Sequence, residues 1–406
     1  MKTKLVCFAG LMIFLASFAY AQLSGAVTSS YVCFSCHKDQ AKDWATTWHS
    51  RSHIDSNPIY KAMINYISRV TYQPEESILV GCAQCHNPKM TIKEISGKDS
   101  FNLAKVLNVE TEQTKRVEAS VGDANIKDGI SCNICHNVEK INESMNMEMR
   151  GFKAVEWGPN DVIFGPFEDD GRAGIHKSIQ KEHFTNPDKL CMACHFGGET
   201  DNKNGVELYA TGKEFLGSDD TNQRCADCHM STKRKGIITP EITRPGIVAK
   251  EREIRSHLFE GARNSDILKD TIALNAKPEG NNIILELTNL TPHKAPTGFG
   301  GRSMDVKIEF KNGANVVNTQ TYTLEIVYVD KKGKEMVPYI AASIKSDNRL
   351  APNETRKLSI PKFPGATDVK VTVTYRLVSD RILKLINFSD AIFSKDYPVT
   401  SLDVKL

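Results

Sequence analysis

Five copies of one short pattern constrain this chain more than anything else in it. They read Cys33-Phe-Ser-Cys36-His37, Cys82-Ala-Gln-Cys85-His86, Cys132-Asn-Ile-Cys135-His136, Cys191-Met-Ala-Cys194-His195 and Cys225-Ala-Asp-Cys228-His229. Cys7 is the one cysteine outside them. C-x-x-C-H is the attachment pattern of c-type haem. Two thiols add to the two vinyl groups on one porphyrin edge, and the adjacent His reaches the iron. Random placement at this composition gives on the order of 0.01 such motifs. Disulfides suit an exported chain but leave the histidines unexplained. Zinc ribbons pair their CxxC units, and five is an odd number of half-sites. A thioredoxin-like site needs one CxxC near a βαβ pattern, which is absent. The pattern therefore predicts five covalently attached haem c groups, with His37, His86, His136, His195 and His229 as proximal iron ligands.

Six histidines remain: His49, His53, His176, His183, His257 and His293. Five irons need five sixth ligands, so this supply predicts mostly bis-His coordination with one histidine spare. The choice between His49 and His53 stays open, as does the pairing of proximal with distal rings. Met90, Met192, Met230 and Met304 are rival axial ligands, but packing is their ordinary role. Since Met raises the potential relative to His, a bis-His set predicts a low-potential chain.

The N-terminus reads as an export leader. Lys2 and Lys4 precede an apolar run from Leu5 to Phe18, and Ala19-Tyr20-Ala21 is a small-x-small cleavage site. The run is shorter than the ~20 residues a spanning helix needs. This assigns residues 1–21 to a signal peptide and the mature protein to the periplasm or cell surface of a bacterium. A net charge of +3 exerts no strong pull on nucleic acid. The expected partners are redox proteins, either quinol-linked or other cytochromes.

Several segments beyond the haem motifs resemble those of the cytochrome c-554-like multihaem family. Asp43-Trp44-Ala-Thr-Thr47-Trp-His49 is similar to its W-x-x-S-x-H element, with Thr47 for Ser. Asp128-Gly-Ile-Ser-Cys132 resembles its G-[VI]-x-C haem site. Phe164-Gly-Pro-Phe167-Glu-Asp-Asp, followed by His176, is similar to a G-P-x-x-D-A…H segment. Arg255-Ser-His257-Leu-Phe259-Glu-Gly261 resembles an H-x-F-x-G element. Thr291-Pro-His293-Lys-Ala-Pro296-Thr297-Gly298, with Arg302, resembles G-H-K-x-P-T-G…R, with Pro292 replacing Gly. The resemblance implies that the His176 segment supplies a distal ligand. It also implies that His293 reaches a haem from the start of a β domain. Its members include carriers and enzymes, so it does not settle activity.

The haem region has about 46 residues per haem, so haems must form much of its core and lie close together. It is expected to be mainly α-helical and irregular, over residues 22–264. Helices are expected over residues 41–53, 59–70 and 101–120, with a long loop over residues 145–175. Its acidic run Glu168-Asp169-Asp170 reads as a solvated face. From residue 265 to 406 period-two alternation takes over, at residues 282–288, 305–310, 322–329 and 368–375, with a short helix over 380–388. This predicts an all-β domain, an immunoglobulin-like sandwich in class. The leading functional reading is electron transfer between redox partners, with no catalytic residue. The alternative is an oxidoreductase acting on a small nitrogen or sulfur compound at one open-coordination haem. A third role, compatible with transfer, is membrane-complex docking or self-association through the β domain.

Overall fold

The computed structural model describes residues 29–142, 150–172, 176–198, 206–218, 223–261, 263–269 and 271–406. The leader assigned to residues 1–21 lies outside them. Helices and short strands make up the N-terminal part, and antiparallel sheets the C-terminal part.

Helix Pro58–Thr71 starts as its sequence dictates. Asn57 Oδ1 accepts from Tyr60 N at 3.1 Å, and Pro58 occupies the first turn. The helix expected over residues 41–53 covers only Lys38–Ala45. Beyond it, Thr47 Oγ1 donates to the Trp44 carbonyl at 2.7 Å and Ser50 Oγ to that of Thr47 at 2.8 Å. These side-chain bonds satisfy the carbonyls without helix and carry the chain into tight turns, so His49 projects from a turn. The single helix expected over residues 101–120 is two, Lys98–Val106 and Glu112–Val121. Left-handed Asn108 (φ 54°) and a capping box at Thr111 separate them.

The expected loop at residues 145–175 contains regular structure where it is described. Val155–Trp157 pairs antiparallel with Val138–Ile141, and Val162–Gly165 pairs parallel with Lys177–Gln180. Within the acidic run, Asp170 pairs with the buried Arg172 at 2.8 Å, and Arg172 also donates to the Thr239 and Ile242 carbonyls. That fixes a loop; it does not make a metal site.

In the β region, one five-stranded sheet runs Ser343–Asp347, Asn315–Val329, Ser303–Asn312, Asp368–Arg376, Tyr397–Lys405. A three-stranded sheet runs Thr355–Pro361, Asn282–Asn289, Ile272–Glu279. All neighbours are antiparallel. Alternate residues from both sheets share one core: Ile283, Leu285 and Leu287 with Val306, Ile308, Phe310, Val369, Val371 and Val373. A second core joins this region to the haem-motif region. Met63, Tyr66 and Ile67 of helix Pro58–Thr71 pack on Val378, Ile382, Leu383, Ile386 and Phe393.

Candidate functional site

A Cys, Cys, His set at positions i, i+3 and i+4 shares one face of a helix. Four motifs sit that way, each with its His as the last helical residue: Glu75–His86, Cys132–His136, Asp188–His195 and Cys225–His229. The first motif begins inside a single turn, Tyr31–Phe34, and His37 precedes helix Lys38–Ala45. All five motif histidines line one continuous cavity of ≈ 1700 Å³. A single small-molecule pocket holds about 300–1,000 Å³, so this space takes more than one large planar group. His49, His176, His257 and His293 line the same cavity, but His53 and His183 do not.

Imidazole rings face each other across that space in four pairs. Ring centres are 6.3 Å apart for His37 and His176, 6.2 Å for His195 and His49, 6.2 Å for His136 and His257, and 6.5 Å for His229 and His293. Two metal–nitrogen bonds of about 2.0–2.1 Å, plus about 1.1 Å from each nitrogen to its ring centre, span about 6.3 Å. The residues present therefore fit a metal held between paired rings, with the thiols at the cavity wall.

His86 differs. Tyr60 stacks on it at 4.2 Å and 13°, too close for a metal between them. Phe184 stacks on His136 in the same way, at 5.1 Å and 13°, while His257 stands across from that ring. Tyr60 and Phe184 thus flank imidazoles. All eleven histidines are among the described residues, and none stands opposite His86. His53 is buried, and its Nδ1 accepts from Asp55 N at 3.1 Å. His183 Nε2 meets the Val138 carbonyl at 3.0 Å. No group of three or more His, Cys, Asp or Glu among the described residues forms a separate metal centre.

Backbone carbonyls aim several rings. His86 Nδ1 lies 3.0 Å from Ser52 O, and His136 Nδ1 2.7 Å from Phe164 O. His229 Nδ1 meets Glu260 O, and His293 Nδ1 lies 3.0 Å from Lys294 O. Using Nδ1 this way leaves Nε2 for a metal. Burial disfavours the charged form of seven of these rings, those of His37, His49, His86, His136, His195, His257 and His293. It lowers His49 and His293 to about 4, while burial followed by neighbouring imidazoles lowers His37 and His257 to about 4 and His195 to about 3. A neutral imidazole keeps the lone pair a metal needs.

The segment from Asp43 to His49 ties two sites together. Trp44 Nε1 donates to the Ile130 carbonyl at 2.8 Å, and Ile130 N donates to the His49 carbonyl at 2.9 Å. Asp43 accepts from His257 N at 3.0 Å. Gly129, at φ 63°, sits so close that a Cβ would lie 2.5 Å from Ser52 Oγ and 2.7 Å from His49 O. Ser30 N donates to Asp128 at 2.7 Å, and Ser30 Oγ accepts from Cys132 N at 3.2 Å.

Thiols from different motifs also meet. The sulfurs of Cys33 and Cys132, of Cys85 and Cys194, and of Cys191 and Cys225 lie side by side. Cys135 also lies near Cys191. The first motif therefore adjoins the third, the third adjoins the fourth, and the fourth adjoins both the second and the fifth. The sequence reading missed this order, and it missed Tyr60 and Phe259 as ring neighbours. The one local signal was an aromatic beside a histidine, as at Phe184.

The sequence matches the family "outer membrane cytochrome MtrC/MtrF-like, domains II/IV" over residues 67–243. No curated protein matches it. The fold is similar to that in the crystal structure of a penta-heme cytochrome c552 from Thermochromatium tepidum. There the TM-score is 0.66 at 20% identity, covering 93% of this chain and 98% of that one. No helix among the described residues is long and apolar enough to cross a membrane.

Proposed function

We propose that this protein, a multihaem c-type cytochrome, is exported and carries electrons between redox partners through five haem c groups. Four of these sites are bis-His: His37 with His176, His195 with His49, His136 with His257, and His229 with His293. The observation that carries the reading is the single cavity lined by all five proximal histidines, with motif after motif in contact. Bound haem supplies the one-electron Fe(III)/Fe(II) couple. The chain's own residues fix His86, His136, His229 and His293 by Nδ1 bonds, disfavour the charged form of most cavity imidazoles by burial and bring the sites side by side. The order 1–3–4, with branches from 4 to 2 and 5, makes the fourth motif the junction. The two antiparallel sheets on one core support the immunoglobulin-like sandwich as the description of the β region, which supplies His293. Mixing the oxidised holoprotein with one electron equivalent of reductant tests the reading. EPR should show loss of ferric intensity distributed over several sites at equilibrium. Reduction confined to one isolated haem would refute it.

A second reading has one specific support. His86 has Tyr60 on its flank and no histidine opposite, so the second haem site offers an open or labile sixth position. That is the coordination an oxidoreductase of a small nitrogen or sulfur compound needs. Carbon monoxide added to the reduced holoprotein should change the Soret band by about one haem in five. No change would remove this reading and leave the carrier.

A further inference from the structure

Three of the four paired imidazoles are nearly parallel: 26° for His37 and His176, 24° for His136 and His257, 23° for His229 and His293. The His49/His195 pair is twisted by 57°. Rotation of an imidazole about its outer torsion is soft, so its neighbours decide it. Four other cavity imidazoles have Nδ1 on a backbone carbonyl. Among the described residues no hydrogen bond holds the His49 ring.

Phe259 is what touches it. The phenyl centre lies 4.5 Å from that of His49, at 74°. The same phenyl stands 6.0 Å from His257, at 87°. One aromatic side chain therefore sets its edge-to-face contacts on the distal histidines of two neighbouring sites, the third and the fourth. Edge-to-face contact is the arrangement aromatic quadrupoles favour, and it is directional. The backbone pays for this placement, with Phe259 in the left-handed region at φ 44°. Its neighbour is locked, since Glu260 N donates to the His229 carbonyl at 2.8 Å and Glu260 O meets His229 Nδ1. A strained, non-glycine conformation held by its surroundings clusters at functional sites.

The geometry points to Phe259 as a positioning residue: it fixes the twist of His49 and so gives the fourth haem site a ligand field unlike the other bis-His sites. This rests on the reading that these pairs ligate iron. It concerns the site that adjoins three of the other four.

Low-temperature EPR of the ferric holoprotein tests it. Near-parallel axial imidazoles give a rhombic low-spin signal, and strongly twisted ones give a signal with a single large g value. The wild type should show one large-g signal beside rhombic ones. Phe259→Ala should convert that signal to rhombic while the haem content stays unchanged. Phe259→Gly does the same with no backbone strain, because glycine accepts φ > 0, and so covers poor folding of the alanine variant. Phe259→Tyr, which keeps the ring edge, should retain the signal. A large-g signal that persists in both the alanine and glycine variants would overturn the proposal. So would a wild type with rhombic signals alone. Absence of any bis-imidazole signal would instead overturn the ligation reading.

Discussion

His49 and His53 are four residues apart and equally plausible as ligands by sequence, yet they stand in different surroundings. His49 faces His195 across 6.2 Å of open cavity. His53 turns away, with its Nδ1 taken by the Asp55 amide. The expected outcome is a clean split. His49→Ala should convert one low-spin haem in five to high-spin, read by EPR and the near-infrared charge-transfer band. His53→Ala should leave the spin states unchanged. His293→Ala should behave as His49→Ala does and should also loosen the β region to protease, because that histidine sits on a loop bridging both parts. Tyr60 belongs to the same scale. Its ring flanks His86, and burial pushes its phenol well above the ordinary range.

At the scale of elements, the end of helix Lys38–Ala45 and the turn after it serve two places at once. Trp44 and the His49 carbonyl both bond Ile130, and Asp43 holds the His257 backbone. The third motif is pressed against this turn so closely that only glycine fits at 129. Gly129→Ala meets both a left-handed φ and backbone contacts under 3.0 Å. It should cost more than about 1 kcal/mol, the scale at which alanine at φ > 0 begins to destabilise. Thermal unfolding of the holoprotein measures that loss. EPR should show the signals of the third and fourth sites disturbed together, since His49 and Cys132 flank residue 129.

Across the whole molecule, a partly exposed clamp of ion pairs joins the two regions. Glu214 accepts from Lys294 N at 3.2 Å, and Arg349 pairs with Glu214 at 3.1 Å and with Asp347 at 2.8 Å. Lys294 closes the ring on Asp347 at 3.0 Å. Burial pushes the Asp347 carboxyl up, but the Arg349 hydrogen bond and charge, then Lys294, bring it down to about 2. Its folded value lies below the unfolded ~3.9. The stabilisation is therefore full above about pH 4 and is lost as the pH falls toward 2. Asp347→Asn should cost about 1–2 kcal/mol at pH 7, allowing for its partial exposure. The difference from wild type should close by about pH 2 in acid unfolding curves. A second expectation concerns the cavity. A packed interior has few voids larger than a water molecule, so a chain with ≈ 1700 Å³ of internal space depends on what fills it. Produced in a host without haem-attachment machinery, the chain should be cut by protease first within residues 29–261. Strands such as Asp368–Arg376, whose inward valines are already packed, should survive longer.

Some of this architecture is local in origin, and the sequence by itself determined it. Attachment of haem depends on three side chains within five residues, so each CxxCH motif is complete as read. The alternation in Asn282–Asn289 and Asp368–Arg376 carries a buried face within one strand, and it too was legible. Strand Ser343–Asp347 is exposed throughout, shows no alternation and was invisible. The helix limits near Ala45 and Asn108 were set by side-chain bonds and a left-handed residue, which period counting does not register. The tertiary structure alone decided which rings face each other, because each pair joins residues far apart in the chain and depends on the path of everything between them. It also decided that His86 faces no histidine, that the fourth motif adjoins three others, and that Phe259 touches the rings of both His49 and His257. Those are facts of position in three dimensions, and residue type constrains them only through packing.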